Sequence, residues 1–141
     1  MISVSLNAKS DELKKKVNLV NIFLWLLQSA AAGMFIMAGG SKLAGVPEMV
    51  KSFEMIGMGQ WFRYFTGLTE VVSAILLLTP AFSGVGALLL VATMIGAIAT
   101  HIFILGGAFT PALVLLILGL IISFGRKDSI LELVNKVLVK K

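Results

Sequence analysis

Four apolar runs, separated by short polar or glycine-rich breaks, occupy most of the chain. They extend from about Val20 to Ser41, Trp61 to Pro80, Ser83 to Leu105 and Ala108 to Phe124. A helix of about twenty apolar residues spans the hydrocarbon core of a bilayer. The pattern therefore predicts an all-α membrane protein. It is a four-transmembrane-helix bundle with spans near 20–41, 61–80, 83–105 and 108–124, forming one domain over residues 1–141.

Short amphipathic stretches flank the spans. In the long first loop Val46, Met49, Val50 and Phe53 recur at helical spacing behind Pro47, a favoured first helical residue, and the helix is expected to end near Gly57. Trp61, Phe62 and Tyr64 then supply an aromatic belt. After Asp128, an expected N-cap, Ile130, Leu131, Val134, Val137 and Leu138 form an apolar stripe opposite Glu132, Lys136 and Lys140. Such a helix lies along the membrane surface or packs on a partner. Residues 1–19 are polar and basic. Ser10 is expected to cap a short helix there, with Asp11 and Glu12 in its first turn.

The second run breaks its own apolar rule on one side. Arg63, Thr66, Gly67, Glu70, Ser73 and Ala74 follow the i, i+3, i+4, i+7 spacing and are all polar or small. Leu68, Val71, Val72, Ile75, Leu76 and Leu78 cover the remainder. In a bilayer this inverted pattern turns Glu70 toward the interior of the bundle. Counted from Trp61, Glu70 lies roughly 13 Å along the axis, too deep for a short side chain to reach the headgroups. An ionisable group at that depth needs a partner, a wet cavity or a proton. The third run repeats the device with Thr93, Gly96, Ala97, Thr100 and His101. In the first, Gln28, Ala32, Phe35, Gly39 and Lys42 share a face. The fourth, with Pro111, Gly119 and Ser123, reads as structural.

Composition agrees with the pattern. Of 141 residues 58% are hydrophobic and 13% charged, about half the charged share of a soluble domain. The net charge of +5 does not point to nucleic acid, because the basic residues flank apolar spans. Nine of the twelve lie in the terminal segments; Lys42, Lys51 and Arg63 lie on the other side. With four spans this bias places both termini in the cytoplasm, in the inner membrane of a prokaryote. The basic start, the first apolar run and Ala30–Ala32 imitate a cleaved signal peptide. The apolar run continues well past the alanines, which favours an uncleaved span. With no cysteine and one histidine, a thiolate nucleophile or a self-contained metal site is not expected of this chain. Met94 shares a helix face with His101, which does not suit axial haem ligation.

Lys42, Arg63, Glu70 and His101 all fall in the outer half of the predicted bundle. Together with Thr66 and Thr100 they define an expected outward-facing polar pocket. Each also has a structural reading. Lys42 and Arg63 could snorkel to the headgroups, His101 could be a hydrogen-bonded helix-end residue, and Glu70 could pair structurally with Arg63; if the pocket forms, Glu70 is expected within direct or water-bridged reach of His101, Arg63 or Lys42.

The ordered pattern Ala38-Gly39-Gly40-Ser41-Lys42-Leu43-Ala44-Gly45, Phe53 and Gly57, Thr66-Gly67-Leu68-Thr69-Glu70 with Pro80, then Met94, Ala97 and Thr100-His101 resembles the DoxX-like family. The resemblance covers about Ala30 to Ile121. It implies a four-helix membrane protein of a family named after a subunit of an archaeal thiosulfate:quinone oxidoreductase, with relatives linked to membrane redox assemblies. Lys42, Glu70 and His101 fall on family-pattern positions. Three readings follow. The first is an accessory, non-catalytic subunit of a membrane redox complex, in quinone contact or serving only to pack helices. The second is a binder or carrier of a small lipophilic ligand. The third, ranked last, is a stand-alone enzyme. No intrinsic cofactor is expected; the expected partners are the lipid bilayer and other membrane subunits or further copies of the chain.

Overall fold

The computed structural model describes residues 1–140 and contains six α-helices and no strand among them. Lys141, counted above with the terminal basic residues, lies outside the described residues. Helix α1 (Ile2–Ala44) is continuous over 43 residues. The separate capped helix expected in residues 1–19 does not form. No glycine or proline interrupts the chain before Gly33, and once a helix is nucleated each further residue adds a bond at little cost. Ser10 sits inside the helix, its hydroxyl donating to the Asn7 carbonyl at 2.8 Å.

Gly45 ends α1 in the left-handed conformation (φ 71°). Its N–H donates to Lys42 O and that of Val46 to Ser41 O, the paired bonds of a glycine C-cap. Helix α2 (Pro47–Ile56) opens on Pro47 and ends at Gly57. Helix α3 (Gln60–Leu78) carries Glu70. A 3₁₀ turn, Pro80–Phe82, leads into α4 (Ser83–Thr100), which continues as a π-helical turn over His101–Leu105. Helix α5 (Thr110–Gly125) is followed by α6 (Lys127–Val139). Asp128 lies in the first turn of α6 and is not its cap.

Helix α1 packs on α3, α3 on α4 and α4 on α5, and α5 returns to α1. The shared core is small-residue rich: Ala31, Ala32 and Phe35 meet Ala74, Leu77, Ala87, Leu90, Met94, Leu115 and Ile122. Small residues let helix backbones approach where lipid offers no hydrophobic drive to associate. Ser73 reinforces the α3–α4 contact, its buried hydroxyl donating to Gly86 O at 2.8 Å. Large apolar side chains such as Leu68, Ile75, Ile95 and Ile117 point outward, as a bilayer-facing exterior requires. Three units are long and apolar enough to cross a membrane: α1, α3, and α4 with its flanking turns from Pro80 to Leu105. Helix α5 has 16 residues, about 24 Å, and is shorter. The four expected spans thus meet the length requirement in three cases.

Candidate functional site

The site begins with a close helix crossing. A Cβ on Gly39 of α1 would stand 2.7 Å from the Gly67 carbonyl oxygen of α3, and one on Gly67 would stand 3.0 Å from that of Gly39. Three residues further along each helix, on the same face, come Lys42 and Glu70. The tight crossing brings their side chains together: Lys42 Nζ lies 3.0 and 2.9 Å from the two carboxylate oxygens of Glu70. Glu70 is buried and Lys42 nearly so. The ion pair solves the problem of a carboxylate at membrane depth by matching it with a charge-assisted, two-point contact.

Beside this pair lies a cavity of about 510 Å³ between α2, α3, α4 and the π turn. Lys42, Thr66, Glu70, Thr100 and His101 all line it. Phe53, Phe62 and Phe65 form an aromatic wall, with Phe53 and Phe62 ring centroids 5.8 Å apart. His101 opens the π turn, where Gly106 N–H donates to His101 O at 2.8 Å. Its ring nitrogen Nδ1 is 2.9 Å from Ala97 O. A carbonyl only accepts, so Nδ1 carries the proton in this contact, and in the tautomer with that single proton Nε2 is an acceptor.

Arg63, grouped with the pocket residues on sequence grounds, does not line the cavity. It is buried, and its Nε donates to Gln60 Oε1 at 2.6 Å. Nη1 donates to the Lys42 carbonyl, and the guanidinium packs against Gly45. The last carbonyls of α1 lie beyond the regular helical bonding, and Arg63, at the start of α3, adds a second donor to the Lys42 carbonyl that Gly45 N–H already caps. Its charge serves the α1 terminus, and Glu70 is matched by Lys42 instead.

Three lining features escaped the sequence reading. The apolar stripe of α2 suits an interfacial helix by its spacing, yet Phe53, the one buried residue of that helix, lines the cavity. Phe62 fits an aromatic belt and Thr93 a polar helix face by sequence, and both line the cavity.

A second polar cluster lies at the opposite end of the bundle. Fully buried Gln28 donates through Nε2 to Leu77 O at 2.6 Å and accepts from Arg126 Nε at 2.7 Å. Arg126 Nη1 donates to Asn21 Oδ1 at 2.7 Å, and the guanidinium lies over the Trp25 ring. Partial burial pulls the Arg126 guanidinium below its ordinary range, from so high a starting value that it remains charged at neutral pH. This cluster joins α1, α3 and the end of α5, and lines none of the cavity beside Glu70. Among the described residues no three His, Asp or Glu side chains converge as a metal-ligand group.

Comparison with curated proteins and with solved structures finds no match. Residues 26–125 match the model of the DoxX-like family. That span contains both members of the ion pair, the glycine crossing and every residue lining the cavity; the chain belongs to the DoxX-like family.

Proposed function

We propose that this small membrane protein binds a lipophilic molecule with a polar head in the cavity beside Glu70 and His101, without transforming it. The carrying observation is the cavity itself: about 510 Å³, apolar and aromatic over most of its wall, with Lys42, Glu70 and His101 in its lining. That size falls within the range of small-molecule sites, and so does the combination of an apolar wall with a few polar groups. In this reading α5 is the fourth span, the termini are cytoplasmic, and the cavity opens toward the outer face of a prokaryotic inner membrane.

A second reading makes the same chain an accessory subunit of a membrane redox complex, with a quinone head in the cavity. It is supported by the N-terminal part of α1. Ile2, Val4, Leu6, Leu13 and Val17 are exposed there, and the stretch ahead of Val20 projects roughly 27 Å at 1.5 Å per residue. An apolar-studded projection of that length offers a surface to another subunit.

Titration of the detergent-solubilised full chain with a short-tailed benzoquinone and a 4-alkylphenol, followed by tryptophan fluorescence, tests the binding reading. Saturable quenching that Thr93→Phe abolishes by filling the cavity is the expected result. Absence of saturable binding for every such ring compound would overturn it. Cross-linking in native membranes through a cysteine placed at Leu6 tests the subunit reading, which predicts an adduct with a different membrane protein.

A further inference from the structure

We infer that the cavity selects a ligand that donates a hydrogen bond, a hydroxyl on a flat apolar ring such as a phenol or hydroquinone, over the matching carbonyl compound. The inference rests on the binding reading and deepens it. It follows from counting which hydrogen-bonding atoms around the cavity are already committed. Five hydroxyls line the space, and each spends its one proton on a carbonyl of its own helix. Ser52 donates to Glu48 O, Thr66 to Phe62 O and Arg63 O, Thr69 to Phe65 O, Thr93 to Leu89 O, and Thr100 to Gly96 O. What these oxygens retain is lone pairs.

His101 gives the preference a fixed point. Its Nδ1 is held by Ala97 O at 2.9 Å; in the tautomer that makes this bond the second hydrogen-bonding atom of the ring is Nε2, with a lone pair to offer. Lys42 is the exception, but its ammonium is already bonded to both Glu70 oxygens, leaving a single N–H. Glu70, as the carboxylate paired with Lys42, only accepts. Around the cavity, acceptors therefore outnumber uncommitted donors. A ligand hydroxyl satisfies one of those acceptors, while a carbonyl in the same place leaves acceptor facing acceptor. Sites built to pair a ligand's O–H discriminate strongly against analogues that lack it, because the site's own polar atom is then stranded. The ring preference comes from Phe53, Phe62 and Phe65, whose faces and edges suit an aromatic guest.

The test compares three probes of nearly equal size on the full chain in detergent: a 4-hexylphenol, its O-methyl ether and a 4-hexylcyclohexanone. The phenol is expected to bind at least about tenfold more tightly than either analogue, the equivalent of one ordinary hydrogen bond. In His101→Phe, which keeps a ring but removes the acceptor, phenol affinity should fall toward that of the ether while the ether's affinity changes little. The wild-type comparison stands even if that variant misfolds. A ketone or ether binding as tightly as the phenol would overturn the hydroxyl preference and leave the binding site standing. No saturable binding by any of the three would overturn both.

Discussion

Gly39 and Gly67 face each other across the α1–α3 crossing so closely that a methyl group at Gly39 would collide with the Gly67 carbonyl and one at Gly67 would press on Gly39 and Lys42. The Lys42–Glu70 pair, three residues beyond on both helices, depends on that approach. Gly39→Ala would push a Cβ to within 2.7 Å of the Gly67 carbonyl and 2.9 Å of a Val71 methyl. Overpacking of this kind costs about 1–3 kcal/mol. Gly33→Ala is the control: nothing lies within 4 Å of its added Cβ, and replacing a helical glycine there gains up to about 1 kcal/mol. Thermal unfolding in detergent should lower the midpoint for Gly39→Ala and leave it unchanged or raised for Gly33→Ala. Equal midpoints would show that the helices do not cross at these glycines.

The ion pair makes a prediction with a distinctive pattern. Glu70→Gln removes the charge facing Lys42 and leaves a buried ammonium without its counter-ion, at a cost of about 3 kcal/mol. Glu70→Leu should be worse, because it also removes the acceptor. Lys42→Leu combined with Glu70→Leu should cost less than the sum of the two single changes, since no charge is then stranded. A double-mutant cycle by chemical unfolding measures the coupling. Additive losses would mean that the two side chains do not pair in the membrane.

The legible part of this molecule was the part that periodicity records. A polar or small face within an apolar helix is enough to turn Glu70 inward, because a bilayer makes the alternative expensive. Depth was also legible, since 1.5 Å per residue sets Lys42, Arg63 and Glu70 in the same half of the bundle. Rotation about the helix axes was not. It decides that Lys42 reaches the carboxylate while Arg63 turns to the end of α1, and it depends on the glycine crossing between two distant segments. The α2 stripe was ambiguous for another reason, because Phe53 against lipid and Phe53 against protein leave the same mark in sequence. Nor does any residue type announce the π turn at His101, which is a property of the backbone.

Gln28 joins three parts of the chain through one amide. Replacing it by Leu strands the Leu77 carbonyl and removes the partner of Arg126 Nε. An unmade buried bond costs about 1–3 kcal/mol, so Gln28→Leu should destabilise by at least about 2 kcal/mol. Asn21→Ala, which removes one exposed contact to Arg126, should cost much less. Both should leave ligand affinity unchanged, as neither residue lines the cavity. A large loss of affinity in Gln28→Leu at temperatures where it remains folded would mean that the two ends of the bundle are coupled.

The membrane path of α5 decides the topology, and single cysteines can read it because the chain contains none of its own. Ser5, Glu54 and Asn135 are exposed and lie, respectively, before the first span, in α2 and in α6. Four spans place Ser5 and Asn135 on one side and Glu54 on the other. In the proposed topology the shared side is the cytoplasm, the side that the excess of basic residues favours. An impermeant thiol reagent applied to intact cells should then label only the Glu54 position, with the other two reacting after permeabilisation. At 16 residues, α5 is short for a span, and it reaches across if the bilayer thins locally or flanking side chains extend to the interface. Mismatch of this size costs only fractions of a kcal/mol per Å. Arg126 and Lys127 at its end suit that role, since long basic side chains reach headgroups from just inside the interface. Labelling at both Glu54 and Asn135 in intact cells would show instead that α5 does not cross, leaving three spans and the C-terminal helix on the outer side.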